Sequence, residues 1–472
     1  MHKTTYILRI FVCVVGLLNL TATATAKENG SGWKAGTATI TITPDESIWM
    51  AGYASREHPS EGILHDLKAK AIAFEDAGGK QSVLITTDLL GFPKSMSDDI
   101  RSDLKEKYGL SKSQIILSST HTHSGPVLAG GLVDIYPMEE ADWEKAKKYS
   151  EKLHSQLVDL VGKALKSKKP VKLFCGNGVS RFQVNRRNNN EKTLWKQTEL
   201  RGPNDYTVSV LKVVNNKDKM VALIFGYGCH PTVLDGYDWC GDYPGYAQLE
   251  LEKLYRGTTA MFFQSCGADQ NPMPRREVPM ALQYGKELAA SVECALAGDM
   301  KELDPNLNFE YAEIEIPLIN IPTLEDLERA EEQSEGYEKR WATRLISEIK
   351  SGKELQKSYP YPVQIWKMGE LPVVVLGGEI VSEYSLKLRQ IFGQQTFVIG
   401  YANDVMGYIP TSEILLEGGY ETVSSQKAYG LPGIWAPDIE TQIFHATIQM
   451  AKELNIQPEV LTKLVTQEAQ NK

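Results

Sequence analysis

Cysteine and histidine are scarce in this chain, six and eight among 472 residues. No Cys-x-x-Cys pair occurs, which speaks against a structural zinc ribbon, and the cysteine spacing is not that of a disulfide-stapled scaffold. No Gly-x-Ser-x-Gly occurs, so the usual nucleophile elbow of a serine hydrolase is missing. Beyond the first 26 residues no apolar run is long enough to span a bilayer. Acidic residues outnumber basic ones, 60 to 51, and the net charge of −9 argues against non-specific nucleic-acid binding.

What is present starts with an export signal. Lys3 and Arg9 precede an apolar run from Ile10 to Leu20, and Ala24-Thr25-Ala26 supplies the small-residue cleavage pattern. Cleavage after Ala26 removes two positive charges, taking the net charge from −9 to −11, and implies a secreted or periplasmic protein. Five cysteines then remain: Cys175, Cys229, Cys240, Cys266 and Cys294. Cys229 and Cys240 are the closest pair, and either a single disulfide or small buried thiols fit them.

Periodicity places strands and helices in a mixed order. Ser82 to Thr87, Gln114 to Leu117 and Thr259 to Gln264 read as strands, and Tyr206 to Val214 with Met220 to Tyr227 as a hairpin pair. Helical spacing covers Ser95 to Tyr108, closed by Gly109, and Ala141 to Lys168. Lys172 to Gly178 reads as the start of a polar loop, and Leu324 to Lys350 as one long charged helix. No repeat or linker divides the chain. The expected class is α/β, or a mixed α+β arrangement, as one large domain with mixed sheets and flanking helices.

Polar chemistry collects where strand-like runs end, the usual place for sites in open α/β sheets. The first run leads into Thr120-His121-Thr122-His123-Ser124-Gly125-Pro126. Strand side chains alternate, so two imidazoles two residues apart face the same side. A metal pair and a turn with two surface histidines both fit. His230 follows another run, where a satisfied buried histidine is the bland alternative. Glu379 follows Gly377-Gly378, where it could simply favour a helix dipole. Histidine nitrogen and carboxylate oxygen are zinc ligands, and a catalytic zinc keeps one position open. His65, just before a strand, is a weaker candidate for lining a site. His154 and His445 fall inside helices and read as structural.

The chain resembles the neutral/alkaline non-lysosomal ceramidases. The resemblance rests on Thr120 to Pro126, Gly52-Tyr53-Ala54, Asn185-Arg186, His230-Pro231-Thr232, Gly245-Tyr246-Ala247, Gly378-Glu379, Ala402-Asn403-Asp404, Gly407-Tyr408 and Tyr420-Glu421, in family order. It implies one zinc ion per chain, held by His121, His230, Glu379 and Tyr408. It also implies His123, Arg186 and Tyr420 as the groups facing substrate, and a zinc-activated water attacking an N-acyl amide of a ceramide-like lipid. A lipid substrate would involve contact with a membrane surface or micelles. The chain departs from the family at Asp242-Tyr243-Pro244, at Asp404-Val405-Met406 and in two further places. Gly267-Ala268-Asp269-Gln270-Asn271-Pro272 stands where the family carries a serine, so Asp269 and Gln270 either line the site or form a structural turn. The chain also stops about where the family begins a C-terminal β-sandwich. These departures keep open a zinc deacylase or esterase for a non-sphingolipid, carbohydrate-linked substrate. A non-catalytic metal-containing binding protein is the reading from another class.

Overall fold

The computed structural model describes residues 32–458, and the export-signal reading lies outside them. The first sheet is built from β1 (Trp33–Thr41), β2 (Lys68–Glu75), β3 (Gln81–Thr87), β4 (Ile115–Ser119), β5 (Lys169–Val179), β6 (Thr207–Asn215), β7 (Met220–Tyr227) and β8 (Thr259–Gln264). Its order is β8-β7-β6-β5-β1-β2-β3-β4, with Lys301–Glu302 also pairing on β5. The inner pairings are antiparallel, whereas β3/β4 and β7/β8 at the two ends are parallel. The second sheet runs β12-β11-β10-β9 through β12 (Phe397–Ile399), β11 (Leu371–Leu376), β10 (Ser358–Met368) and β9 (Leu307–Ile319), and ends on Ile434–Trp435.

Alternation along the strands builds a layered core. One face of the first sheet presents Ile72, Ile116, Ile224 and Phe263 to Trp366, Val373, Val375 and Phe397 of the second sheet. The opposite face carries Ala71, Val83, Ile85 and Leu117 at one end, beneath helices α1 (Lys94–Tyr108) and α2 (Glu140–Lys166). At the other end it carries Leu223, Phe225 and Phe262, beneath α3 (Asp242–Leu254) and α4 (Val278–Ala297). The far face of the second sheet, with Val363, Val374 and Val398, is covered by α7 (Ser382–Phe392) and α8 (Ile439–Glu453). The result is a helix–sheet–sheet–helix arrangement of the expected mixed class. Among the described residues no helix is long and apolar enough to cross a membrane.

The first sheet also curls. A right-handed twist of roughly 20–25° per neighbour accumulates to about half a turn over seven pairings. The terminal strands β4 and β8 accordingly meet. Lys70 of β2 donates to the carbonyl of Ala260 on β8 at 2.7 Å. The half turn explains how β4 and β7, which run in opposite senses within the sheet, deliver their C-terminal ends to one place.

Two sequence expectations are corrected here, and one left open is resolved. Lys172 to Gly178 is the middle of strand β5, not the start of a loop. Its glycines reflect close packing: a Cβ at Gly178 would lie 2.3 Å from the Ser291 carbonyl oxygen of α4. The single helix expected from Leu324 to Lys350 is two, α5 (Leu324–Gln333) and α6 (Gly336–Lys350), broken at Ser334-Glu335. They fold against each other around Leu327, Trp341 and Leu345, so the charged pattern belongs to a hairpin of helices. Cys229 and Cys240 are both free buried thiols, as are Cys175 and Cys266.

One buried ion pair ties α7 to the loop preceding β6. Arg389 contacts the Asp205 carboxylate, which also accepts from Ser385 Oγ at 2.6 Å. Burial by itself raises the Asp205 carboxyl, but Arg389 and Ser385 outweigh it and hold it below its ordinary value. The backbone of Asp205 donates to Gln270 Oε1 at 2.8 Å, linking the pair to the 265–272 turn. Arg389→Met strands a buried carboxylate, and urea unfolding is expected to show a loss of about 3–5 kcal/mol. An unchanged unfolding midpoint would remove this pair from the account of how the turn is held.

Candidate metal centre

The His-x-His segment begins two residues after β4 ends at Ser119. His121 has φ 62, in the left-handed region, so strand alternation does not reach it. The two imidazoles still converge, with Nε2 atoms 3.3 Å apart, because the backbone turns at His121. The expectation that they share a face is correct, and the reason given for it is not. His121 Nδ1 lies 2.6 Å from the carbonyl oxygen of Leu90, in the segment that follows β3. The His123 carbonyl accepts from Arg56 Nη2 at 2.8 Å. Gly52 packs against the His123 ring at φ 112, and a Cβ there would lie 2.5 Å from the ring atoms. That position tolerates only glycine.

His230 follows β7 on the turn Gly228-Cys229. Its N–H donates to the Gln270 carbonyl at 2.8 Å, and its Nδ1 lies 3.2 Å from the Gly267 carbonyl oxygen. Glu379 and Tyr408 stand directly opposite each other in a short parallel ladder, Glu379–Ile380 against Tyr408–Ile409. The first of these short strands follows β11 and the second follows β12. The second sheet thus delivers a carboxylate and a phenol to the place where the first delivers imidazoles.

The electrostatics follow from the carbonyls. A carbonyl only accepts, so Nδ1 of His121 and of His230 each carries a proton, and in the neutral imidazole each Nε2 presents a lone pair. Both lone pairs meet Glu379 Oε2, at 3.2 Å from His121 and 3.0 Å from His230. That oxygen is buried and accepts no hydrogen bond. The Tyr408 hydroxyl lies 3.4 Å from His230 Nε2. Burial lowers the His230 pKa to about 4 against the opposing pull of Glu379, so the ring is neutral. Three electron-pair donors therefore face one another in a buried space with no proton between them. Such an arrangement is unfavourable without a cation, and two nitrogens with two oxygens are a donor set that suits zinc. His121, His123 and His230 also bring their ring nitrogens within 4.8 Å of one another, so His123 is a third nitrogen within reach.

The remaining predicted residues join the same constellation. Arg186 lies over the rings of Tyr408 and Tyr420, 5.5 and 5.4 Å from their centroids. Tyr408 and Tyr420 pack edge to face at 5.3 Å. Asp269 and Gln270 do not line the site. Asp269 accepts from Asn185 Nδ2 at 2.8 Å and from the Ser382 backbone at 2.7 Å. Gln270 bonds to the Gly228 carbonyl. They form the structural turn that holds His230 and Asn185. His65 lies outside the cluster, accepting from the Gly241 N–H at 3.1 Å. His154 of α2 lies 2.9 Å from the Asp103 carboxylate of α1, away from the cluster.

Sequence reasoning missed Tyr429. Its hydroxyl donates to Glu379 Oε1 at 2.5 Å and so turns Oε2 toward the histidines. No motif surrounds it. Tyr401 was also missed; its ring packs 4.4 Å from that of His121. Above the cluster opens a cleft of about 990 Å³, with His123, His230 and Tyr408 lining its base and residues 186–191 and 417–421 along its walls.

Residues 33–309 match the family described as neutral/alkaline non-lysosomal ceramidase, N-terminal. That span contains His121, His123, Arg186 and His230 but stops before Glu379, Tyr408 and Tyr420. Neutral ceramidase A of Dictyostelium discoideum is 26% identical over 268 residues, covering 52% of this chain and 36% of the relative. Neutral ceramidase of Pseudomonas aeruginosa is 26% identical over 292 residues, covering 58% and 41%. The matches thus span less than half the length of these curated relatives. The crystal structure of the Pseudomonas aeruginosa neutral ceramidase superposes with a TM-score of 0.70 at 20% identity, over 90% of this chain and 74% of that one. A ceramidase complexed with C2 gives 0.70 at 19% identity, over 90% and 75%.

If the convergence of lone pairs is a metal site, His121→Ala, His230→Ala and Glu379→Ala should each lose bound metal in elemental analysis. Tyr429→Phe keeps every donor but frees the carboxylate, and should weaken metal affinity by roughly 10–100-fold. Full metal content in His121→Ala or Glu379→Ala would show the assignment to be wrong.

Proposed function

Since the chain belongs to the neutral/alkaline non-lysosomal ceramidase family, we propose that it hydrolyses an N-acyl amide bond with one zinc ion, held by His121, His230, Glu379 and Tyr408. The observation that carries this reading is the unprotonated donor cluster at the base of an open cleft. Zinc bound there supplies Lewis acidity, polarising an acyl carbonyl and acidifying a water.

The chain's own residues supply the rest. Leu90 and Gly267 fix the histidine tautomers through their carbonyls. Burial, reinforced by the neighbouring imidazoles, pushes His123 well below its ordinary pKa, so it enters the reaction neutral. A neutral His123 can donate a hydrogen bond to a developing oxyanion. Burial alone would lower the Arg186 pKa, but Tyr408 and Glu421 outweigh it, and the guanidinium stays charged beside the cleft. Tyr420, half exposed at the cleft, is placed to give its proton toward a leaving amine. A structural metal in a closed site would need none of these three groups.

The relatives' names make ceramide the first substrate to test, and the export-signal pattern in residues 1–26 supports a reaction outside the cytoplasm. A second reading, a deacylase or esterase for a non-sphingolipid, is favoured by the polar walls of the cleft. Activity on N-acyl substrates should vanish with a chelator and return with zinc. His123→Ala and Tyr420→Phe should each lower kcat on the order of 100-fold or more while zinc content stays at the parent level. Bound zinc without hydrolysis of any N-acyl or O-acyl substrate would instead identify a metal-containing binding protein.

A further inference from the structure

The cleft above the donor cluster has an unusual lining for a lipid site. Among the described residues that line it, Met273 alone carries an aliphatic side chain. Asparagines, arginines, glutamates and tyrosine hydroxyls make up most of the remainder. An alkyl chain gains free energy only by leaving water for apolar contact, and these walls offer little. The exposed apolar side chains Trp195 and Leu416 are not part of the lining. A largely apolar cavity of about 210 Å³, lined by Leu90, Phe92, Leu128, Met406 and the Tyr429 that bonds Glu379, shares no residue with the cleft.

The charged side chains along the cleft walls pair off. Arg186 and Arg187 both pair with Glu421, at 3.0 and 2.6 Å, and Arg187 also reaches Glu417 at 2.8 Å. Arg275 pairs with Glu191 at 2.9 Å. Three arginines thus face three glutamates, and no guanidinium is left over for an anionic group. An anion would have to displace a carboxylate from a partly buried pair, which is unfavourable.

The lining itself presents asparagine amides, a glutamine and tyrosine hydroxyls beside the paired charges. Amides and hydroxyls both donate and accept, and a ligand hydroxyl does both.

Resting on the amide-hydrolase reading, we infer that the substrate is a small, neutral, hydroxyl-rich amide with a short acyl chain, of which an N-acyl amino hexose is the simplest example. A long-chain lipid does not match this cleft. The reaction adds one water across the C–N bond: the acyl carbon takes the hydroxyl, the nitrogen takes the proton, and a short carboxylic acid and an amino sugar leave.

The test uses the zinc-loaded full chain with three substrates: N-butanoyl glucosamine, a long-chain ceramide in mixed micelles, and an N-butanoyl amino acid. The expected kcat/KM for the amino-sugar amide exceeds the other two by at least tenfold. Asn188→Leu, at an exposed position of the cleft wall, should raise its KM at least tenfold with zinc content and Tm unchanged. Calorimetry on zinc-loaded Tyr420→Phe should show saturable binding of the same amide. A higher kcat/KM for the ceramide or for the anionic amide overturns the inference. Binding without hydrolysis of any of the three keeps the substrate class and overturns the hydrolase reading. Neither binding nor hydrolysis overturns both.

Discussion

Three electron pairs pointing at one another are what the rest of this molecule is arranged to hold. His121 Nε2, His230 Nε2 and Glu379 Oε2 lie 3.0 to 3.2 Å apart across the carboxylate oxygen, in a space with almost no access to water. Each donor is gripped from behind. The Leu90 and Gly267 carbonyls take the histidine protons, and the Tyr429 hydroxyl takes the other carboxylate oxygen. Without those grips each ring could rotate and each donor could find a proton or a water of its own. The grips convert ordinary side chains into a set that a cation satisfies and nothing else nearby does.

The half-turn twist of the first sheet is the second requirement. It lets β4 and β7, on opposite flanks of the sheet and opposite in sense, end at the same point. The second sheet then contributes Glu379 and Tyr408 through a short parallel ladder, so neighbouring strands fix their spacing. The buried Arg389–Asp205 pair and the Asp269–Ser382 contacts tie the supporting turn between the two sheets.

Much of this was legible from the residues, for local reasons. Strands such as Thr259–Gln264 and Leu371–Leu376 have bounded apolar runs, and polar residues at their ends mark where chemistry is exposed. All four candidate ligands lie after such runs, and the seven candidate residues do converge. What was not legible depends on distant partners. Strand β5 hides behind glycines whose purpose is the approach of α4, more than a hundred residues later. The break between α5 and α6 occurs in a charged stretch whose periodicity barely changes. Tyr429 carries no local sign, because its role exists only once residue 379 is beside it. The shared orientation of His121 and His123 was anticipated from strand geometry and arises from a left-handed turn.

The division of the donors between two sheets has a consequence for how the molecule comes into being. His121 and His230 follow strands of the sheet completed by residue 302, and Glu379 and Tyr408 follow strands of the one completed by residue 435. Neither half holds more than part of the set, so the centre does not exist until the halves have docked. An ion that binds it reads out a finished fold and, by mass action, holds the docked state together. Assembly and competence for chemistry then become a single event, and a chain arrested halfway is a chain without a centre.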